Sequence, residues 1–335
     1  MRGRAKSVRL SRWFATGAAL ALLLGGTPAV AGASTRWKSP ALGHVFTIVL
    51  ENTSYEDVTS AAGVAAMPYL SGLTAQGVTL DQMYATGHVS LPNYIAMTSG
   101  QPLISATSGD CLNYDCVYKK PKDKNIGDQL EAKGLTWKAY MEDMPMPCAH
   151  GTPGQLDPYL GFGPSGGYAT RHNPFMYYND MVSNQTRCNA HDVPYTDFVN
   201  DLGANTVPNY SFIVPNTCDD AHNGGETCGL STADTWLANN VPQILASSAY
   251  ADRGMLVITF DESNISDTRG CCKGAAGGRI FTLVLSPLST HPGTHSTTAY
   301  DHYSLLRTIE NGFKLRCLHL ACTKKNPAFG PEVLG

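Results

Sequence analysis

Two short apolar runs, HVFTIVL at residues 44–50 and GMLVITF at residues 254–260, each stop abruptly at a polar pair, Glu51-Asn52 and Asp261-Glu262. Runs this short and rich in Val and Ile predict strands buried on both faces of a parallel sheet. In such sheets ligands collect beyond the carboxyl ends of the strands, so two strands delivering carboxylates to one edge point to a shared site. Hard divalent cations favour oxygen ligands of this kind.

The same reading along the chain predicts further strands at 135–141, 209–214 and 279–285. Helices are predicted at 68–76, 92–98, 126–133, 232–246 and 302–312. Alternation of the two patterns predicts an α/β fold, a mainly parallel sheet flanked by helices. Residues 145–194 break the alternation: they are dense in Pro, Gly, Tyr and Asn, and predict a loop-rich insertion beside the site, held by disulfides. There is no internal repeat. Residues 34–335 are expected to form a single domain.

The N-terminus has a different character. Arg2, Arg4, Lys6, Arg9 and Arg12 precede the apolar stretch FATGAALALLL at 14–24, and small residues follow around Ala31 and Ala33. This is the layout of a Sec-type signal peptide over residues 1–33, cleaved near Ala31 or Ala33, and it predicts a secreted, extracellular protein. An uncleaved anchor is the competing reading, but the stretch is short for a span. No stable membrane anchor is therefore expected.

Loss of those five cations would leave 19 Lys and Arg against 27 Asp and Glu, about −8 with His neutral. That excludes a surface built for nucleic acid. It does not exclude a phosphorylated substrate, because bound cations supply local positive charge. All ten cysteines lie beyond the leader and their number is even, which predicts several disulfides in an oxidising compartment. Cys111/Cys116 and Cys317/Cys322 are close enough for local bridges, but spacing does not assign the connectivity. A zinc cluster is disfavoured because no C-x-x-C pair occurs.

Candidate chemistry sits in four loops. Ser90, in Gly87-His88-Val89-Ser90-Leu91-Pro92-Asn93, precedes a predicted helix, where it is either an ordinary N-cap or a hydroxyl facing an anion at the helix N-terminus. Asp220 and His222 alternate in a tight loop after the strand ending at Val214, able to grip a cation or simply to form a solvated turn. His302 opens the last helix. Two other motifs match by letter only: Gly163-Pro164-Ser165-Gly166-Gly167 fits G-x-S-x-G, and Gly161 to Gly166 fits G-x-G-x-x-G, yet neither follows a strand pattern.

The ordered set resembles the phosphoesterase family of the alkaline phosphatase superfamily, which includes secreted bacterial acid phosphatases and phospholipase C-type enzymes. Strand-Glu51-Asn52 comes first, then Ser90-Leu91-Pro92-Asn93, Asp220-Ala221-His222-Asn223-Gly224, Phe260-Asp261-Glu262 and Asp301-His302-Tyr303. The similarity runs from about His44 to Gly312. It implies an alkaline phosphatase-like α/β/α sandwich and a metal-dependent phosphoesterase, foremost an acid phosphatase hydrolysing monoesters through a phosphoserine. Glu51, Asn52, Asp261, Glu262, Ser90 and Asp220 would be metal ligands, with Ser90 the nucleophile and Asn93, His88, His222 and His302 acting on the phosphate or leaving group. One or two divalent ions are implied; the oxygen-rich set favours Ca, Mg or Mn over Zn. Glu262 stands where better-known two-metal members often have His. The substrate would be a phosphorylated small molecule or a lipid headgroup. A phospholipase C-type diesterase is the alternative within the enzymes, and a non-catalytic secreted binding protein on this fold is the alternative outside them.

Overall fold

The computed structural model describes residues 1, 37–119, 123–161, 163, 165–222 and 227–335. Apart from Met1, the expected leader lies outside the described residues. The fold is that of the unit 38–335; among the described residues no helix is long and apolar enough to cross a membrane.

Among the described residues eleven strands occur in chain order: β1 Val45–Leu50, β2 Val78–Leu80, β3 Met83–Tyr84, β4 Trp137–Met141, β5 Asp192–Pro194, β6 Tyr210–Val214, β7 Met255–Phe260, β8 Arg279–Ile280, β9 Thr282–Leu285, β10 Thr294–Ser296 and β11 Tyr300–Asp301. Eight form one sheet in the order β10-β2-β9-β7-β1-β6-β4-β5, and β11-β3-β8 form a second, small one. In the large sheet only β9 runs against its neighbours. Helices flank it, among them Pro68–Leu73, Ser90–Ser99, Ile126–Ala132, Leu230–Leu245 and His302–Gly312.

The sheet centre follows directly from composition. Every residue of β1 and of β7 is buried, and a fully buried Val, Leu or Ile contributes about 1.5–3 kcal/mol. Two expectations change. The run at 279–285 is not one parallel strand: it breaks at Phe281 into β8 and β9, and β9 pairs antiparallel with β7. The segment 145–194 ends in β5, which extends the sheet beyond β4.

Within that segment order comes from specific ties. Cys148–Cys188 closes it, and Arg187 forks onto Asp128 (2.8 Å), Glu131 (2.9 Å) and Asp180 (2.9 Å). Further disulfides are Cys111–Cys116, Cys218–Cys228, Cys271–Cys272 and Cys317–Cys322, so all ten cysteines are paired.

Candidate active site

Strand register brings the carboxylates together. Leu50 of β1 pairs with Phe260 of β7, so the next residues, Glu51 and Asp261, leave the sheet side by side. Asp261 N–H donates to Leu50 O (2.8 Å), and Asn52 N–H donates to Asp261 Oδ1 (3.0 Å). On the other flank of β1, Glu51 N–H donates to Asp220 O (2.7 Å), in the loop after β6. Glu51, Asp220 and Asp261 are all fully buried. Asn52 is exposed, with a left-handed φ of 52°, and its amide lies 3.4 Å from Glu51 Oε2.

Ser90 is the first residue of the wholly buried helix Ser90–Ser99, not its cap; the cap position is Val89. The Ser90 hydroxyl instead donates to Glu51 Oε2 at 2.8 Å. Val89 has φ 74°, a conformation a β-branched residue adopts only under strain, and this aims the Ser90 side chain at the carboxylates. Glu262 holds that turn by accepting from Val89 N–H (3.1 Å) and pairing with His88 Nδ1 (2.7 Å). His88 Nε2 meets Asp267 O at 2.8 Å, so both ring nitrogens are engaged. Asn93 is similarly committed: Oδ1 accepts from Thr86 N–H (2.9 Å) and Gly87 N–H (3.1 Å), and Nδ2 donates to Gly87 O (2.8 Å) and Val89 O (3.0 Å). His88, Asn93 and Glu262 thus shape the turn around Ser90.

Three further residues, Tyr94, Arg171 and His172, join the site from positions outside the four candidate loops. Tyr94, one helical turn after Ser90, donates its hydroxyl to Glu51 Oε1 (2.6 Å). Its i+4 spacing from Ser90 on one helix face was the available clue. His172, in a 3-10 turn of the 145–194 segment, stacks on Tyr94 with centroids 5.4 Å apart and lies 3.5 Å from Glu51 Oε1 and 3.3 Å from Asp220 Oδ2. Arg171, also buried, reaches His222 Nε2 (3.1 Å) and approaches Asp110 (3.8 Å). No spacing rule links 171–172 to the other motifs.

The electrostatics fit a cation. Burial, and then the Asp220 charge, pushes Glu51 well above the ordinary carboxylate range. Asp220 and Asp261 are raised in the same way, burial first. Glu262 is pushed up to about 9 by burial and then by Asp261. Burial lowers His172, and takes His302 down to about 4, so both rings stay neutral. His302 Nε2 meets Asp261 O at 2.5 Å. Asp220 Oδ2, Asp261 Oδ2, His172 Nε2 and His302 Nδ1 are buried with no hydrogen-bond partner. Ligand atoms of Glu51, His172 and His222 lie within 4.8 Å of one another. Buried carboxylates beside neutral imidazoles with unused lone pairs are what a divalent ion requires.

The chain matches the sequence profile of the Phosphoesterase family over residues 62–316. It belongs to that family. The chain is 30% identical to a probable acid phosphatase of Kluyveromyces lactis over 81% of its own length and 58% of the relative. It is 28% identical to an acid phosphatase of Aspergillus fumigatus over 83% and 56%. It thus spans less than three-fifths of those fungal relatives. A phosphatidylinositol-3-phosphatase of Mycobacterium tuberculosis is 27% identical over 88% of this chain and 84% of the relative. Among solved structures, an alkaline phosphatase superfamily protein of Vibrio parahaemolyticus superposes with a TM-score of 0.55 at 13% identity, covering 83% of this chain and 68% of that one. The chain therefore shares the fold of that protein. Its Ser165 motif is not a nucleophile elbow: among the described residues no strand enters it and no helix leaves it.

Proposed function

We propose that this phosphoesterase is a secreted, metal-dependent hydrolase of phosphate monoesters, an acid phosphatase. The observation that carries the reading is Ser90 itself, a buried hydroxyl at the start of a helix, 2.8 Å from Glu51, a carboxylate grouped with His172 and His222 and flanked along the sheet edge by Asp220 and Asp261. The names of the fungal relatives agree with it.

Ser90 Oγ attacks phosphorus, the bond to the ester oxygen breaks, and water then cleaves the phosphoserine to free phosphate. Glu51 Oε2 accepts the Ser90 hydrogen bond and fixes the direction of attack. Glu51, Asp220 and Asp261, with His172 and His222, would hold a divalent ion, which when bound would neutralise charge on the phosphoryl oxygens and lower the pKa of the Ser90 hydroxyl. Asn52 and His302 border the same group of ligands. Arg171 adds a fixed positive charge beside it. Two imidazoles among the donors suit Mn or Zn better than the all-oxygen shell that favours Ca.

A phosphorylated lipid headgroup is the second reading of the substrate. It is favoured by the similarity to the phosphatidylinositol-3-phosphatase, which this chain matches over most of that protein's length.

The test is hydrolysis of p-nitrophenyl phosphate and p-nitrophenylphosphorylcholine from about pH 4 to about pH 9, with and without EDTA. Rapid, EDTA-sensitive turnover of the monoester is expected, and Ser90→Ala should reduce it by roughly a thousandfold or more while leaving the fold intact. Preference for the diester would make the protein a phospholipase C-type enzyme. Full activity in Ser90→Ala would end the nucleophile assignment.

A further inference from the structure

Asp301 carries a buried carboxylate for which the chemistry at Ser90 has no use. It is fully buried at the start of the helix His302–Gly312. Its Oδ1 accepts from Ser304 N–H (2.7 Å) and from the Ser304 hydroxyl (3.0 Å), while Oδ2 has no hydrogen-bond partner. Among the described residues five buried carboxylate oxygens are left in that condition, and two of them, on Asp220 and Asp261, belong to the candidate active site. Of the other three residues, Asp301 alone joins a group of potential metal ligands: one of its carboxylate oxygens and the sulfurs of Cys271 and Cys272 lie within 4.8 Å of one another. A buried carboxylate with an unused oxygen is costly unless a cation or a donor meets it.

The two cysteines are adjacent in the chain and joined as a disulfide. Both are half-buried, whereas Cys111–Cys116, Cys148–Cys188 and Cys218–Cys228 are buried. Access matters, because thiol–disulfide exchange requires an attacking thiolate to reach the bond. Cys271 Sγ lies 3.3 Å from Tyr300 O and Cys272 Sγ 3.6 Å from Ala299 O, so both sulfurs face the segment that ends at Asp301. The turn carrying them is held by bonds other than the disulfide. Lys273 N–H donates to Asn326 Oδ1 (2.8 Å), and Asn326 Nδ2 donates to Lys273 O (3.2 Å). Gly278 N–H donates to Arg269 O (2.9 Å) and closes the loop, and Gly277 N–H donates to Ala85 O (2.9 Å) and anchors it. Opening the disulfide therefore leaves two thiols beside the same carboxylate.

We propose that Cys271, Cys272 and Asp301 form a second metal site, one for a soft divalent cation such as Zn or Cd, which becomes available when the vicinal disulfide is reduced. The site is separate from the Ser90 group and does not rest on the phosphoesterase reading. A dithiol supplies two electrons and two protons to the S–S bond, leaving two cysteine thiols and its own cyclic disulfide. A divalent ion then displaces both thiol protons and binds two thiolates and one carboxylate oxygen. Thiolates select such ions over Ca, Mg or Mn. Without a reductant the pair rests as the disulfide.

The test is a cadmium titration of the full chain carrying Cys317→Ser and Cys322→Ser, which leaves the vicinal pair as the one disulfide that is not buried. It is run before and after treatment with dithiothreitol. The readout is the ultraviolet cadmium–thiolate charge-transfer band, which the Ser90 group, having no thiol, cannot give. The band should be absent before reduction and appear after it, saturating at one ion per chain. Cys271→Ser and Cys272→Ser should each remove most of it. Asp301→Asn keeps an acceptor for Ser304 but replaces a ligand oxygen, and should weaken cadmium binding by on the order of tenfold or more. A reduced protein without the band overturns the proposal, as does a pair that stays oxidised in dithiothreitol or an Asp301→Asn protein that binds cadmium like its parent. Should Asp301→Asn fail to fold, Cys272→Ser decides: an undiminished band in that variant places the metal on other cysteines and overturns the site.

Discussion

His172 joins the parts of the site. Its ring lies flat on Tyr94, with one nitrogen near Glu51 and the other near Asp220. Burial keeps it neutral, and a neutral imidazole can donate a lone pair to a cation, which an imidazolium cannot. Replacing it with Ala should weaken cation retention by about 10–100-fold, the range seen when a group around a metal centre is lost. The check is metal content after dialysis, alongside turnover. Unchanged content would remove His172 from the ligand set. Ser90, Glu51, Asp220 and Asp261 were readable because each follows a strand or opens a helix. His172 and Arg171 were not, because they lie in a segment whose pattern carries no period.

At the scale of elements, the site is assembled from strand ends and one pinned segment. Glu51 and Asp261 meet because β1 and β7 are parallel and in register, so their last residues must be neighbours. The turn at 170–172 has no such sheet register. Its position depends on Cys148–Cys188, on the Arg187 fork, and on Asn173 donating to Asp192 (2.8 Å). Changing Cys148 and Cys188 together to Ser should cost about 2–5 kcal/mol by freeing the unfolded chain. Activity should fall further than the stability loss alone explains, since His172 would lose its fixed place. Thermal unfolding and kcat measured on one preparation would show this, and a variant with lower stability but normal kcat would count against it.

For the whole molecule, buried acids set the pH response. Burial pushes both Asp192 and Glu310 up to about 8. Folding therefore tightens proton binding at these carboxyls relative to unfolded values near 4. The stability they contribute is complete below about pH 4 and is lost as the pH rises through about 8. His302 acts in the opposite direction: held down at about 4, it costs stability as the pH falls below its unfolded value near 6.5. The melting temperature should accordingly decline from mildly acidic to alkaline pH. Asp192→Asn, which imitates the protonated carboxyl, should flatten that decline. A melting series over the same range, identical for parent and variant, would show that Asp192 does not contribute.

What the sequence determined by itself was whatever local pattern and chain order encode: the buried strands, the helix beginning at Ser90, and the carboxylates placed at strand ends. A parallel sheet translates those directly into space, because register makes the residue after one strand adjacent to the residue after its neighbour. Tertiary structure alone decided which other side chains complete the site. It turned Ser90 from a cap into a hydrogen-bond donor to Glu51 and committed Asn93 and His88 to the turn. It carried His172 to within 3.5 Å of Glu51 and Arg171 to His222, both from an aperiodic segment. Such contacts arise between segments far apart in the chain, fixed by disulfides and side-chain hydrogen bonds that follow no period, so nothing in the one-dimensional pattern announces them.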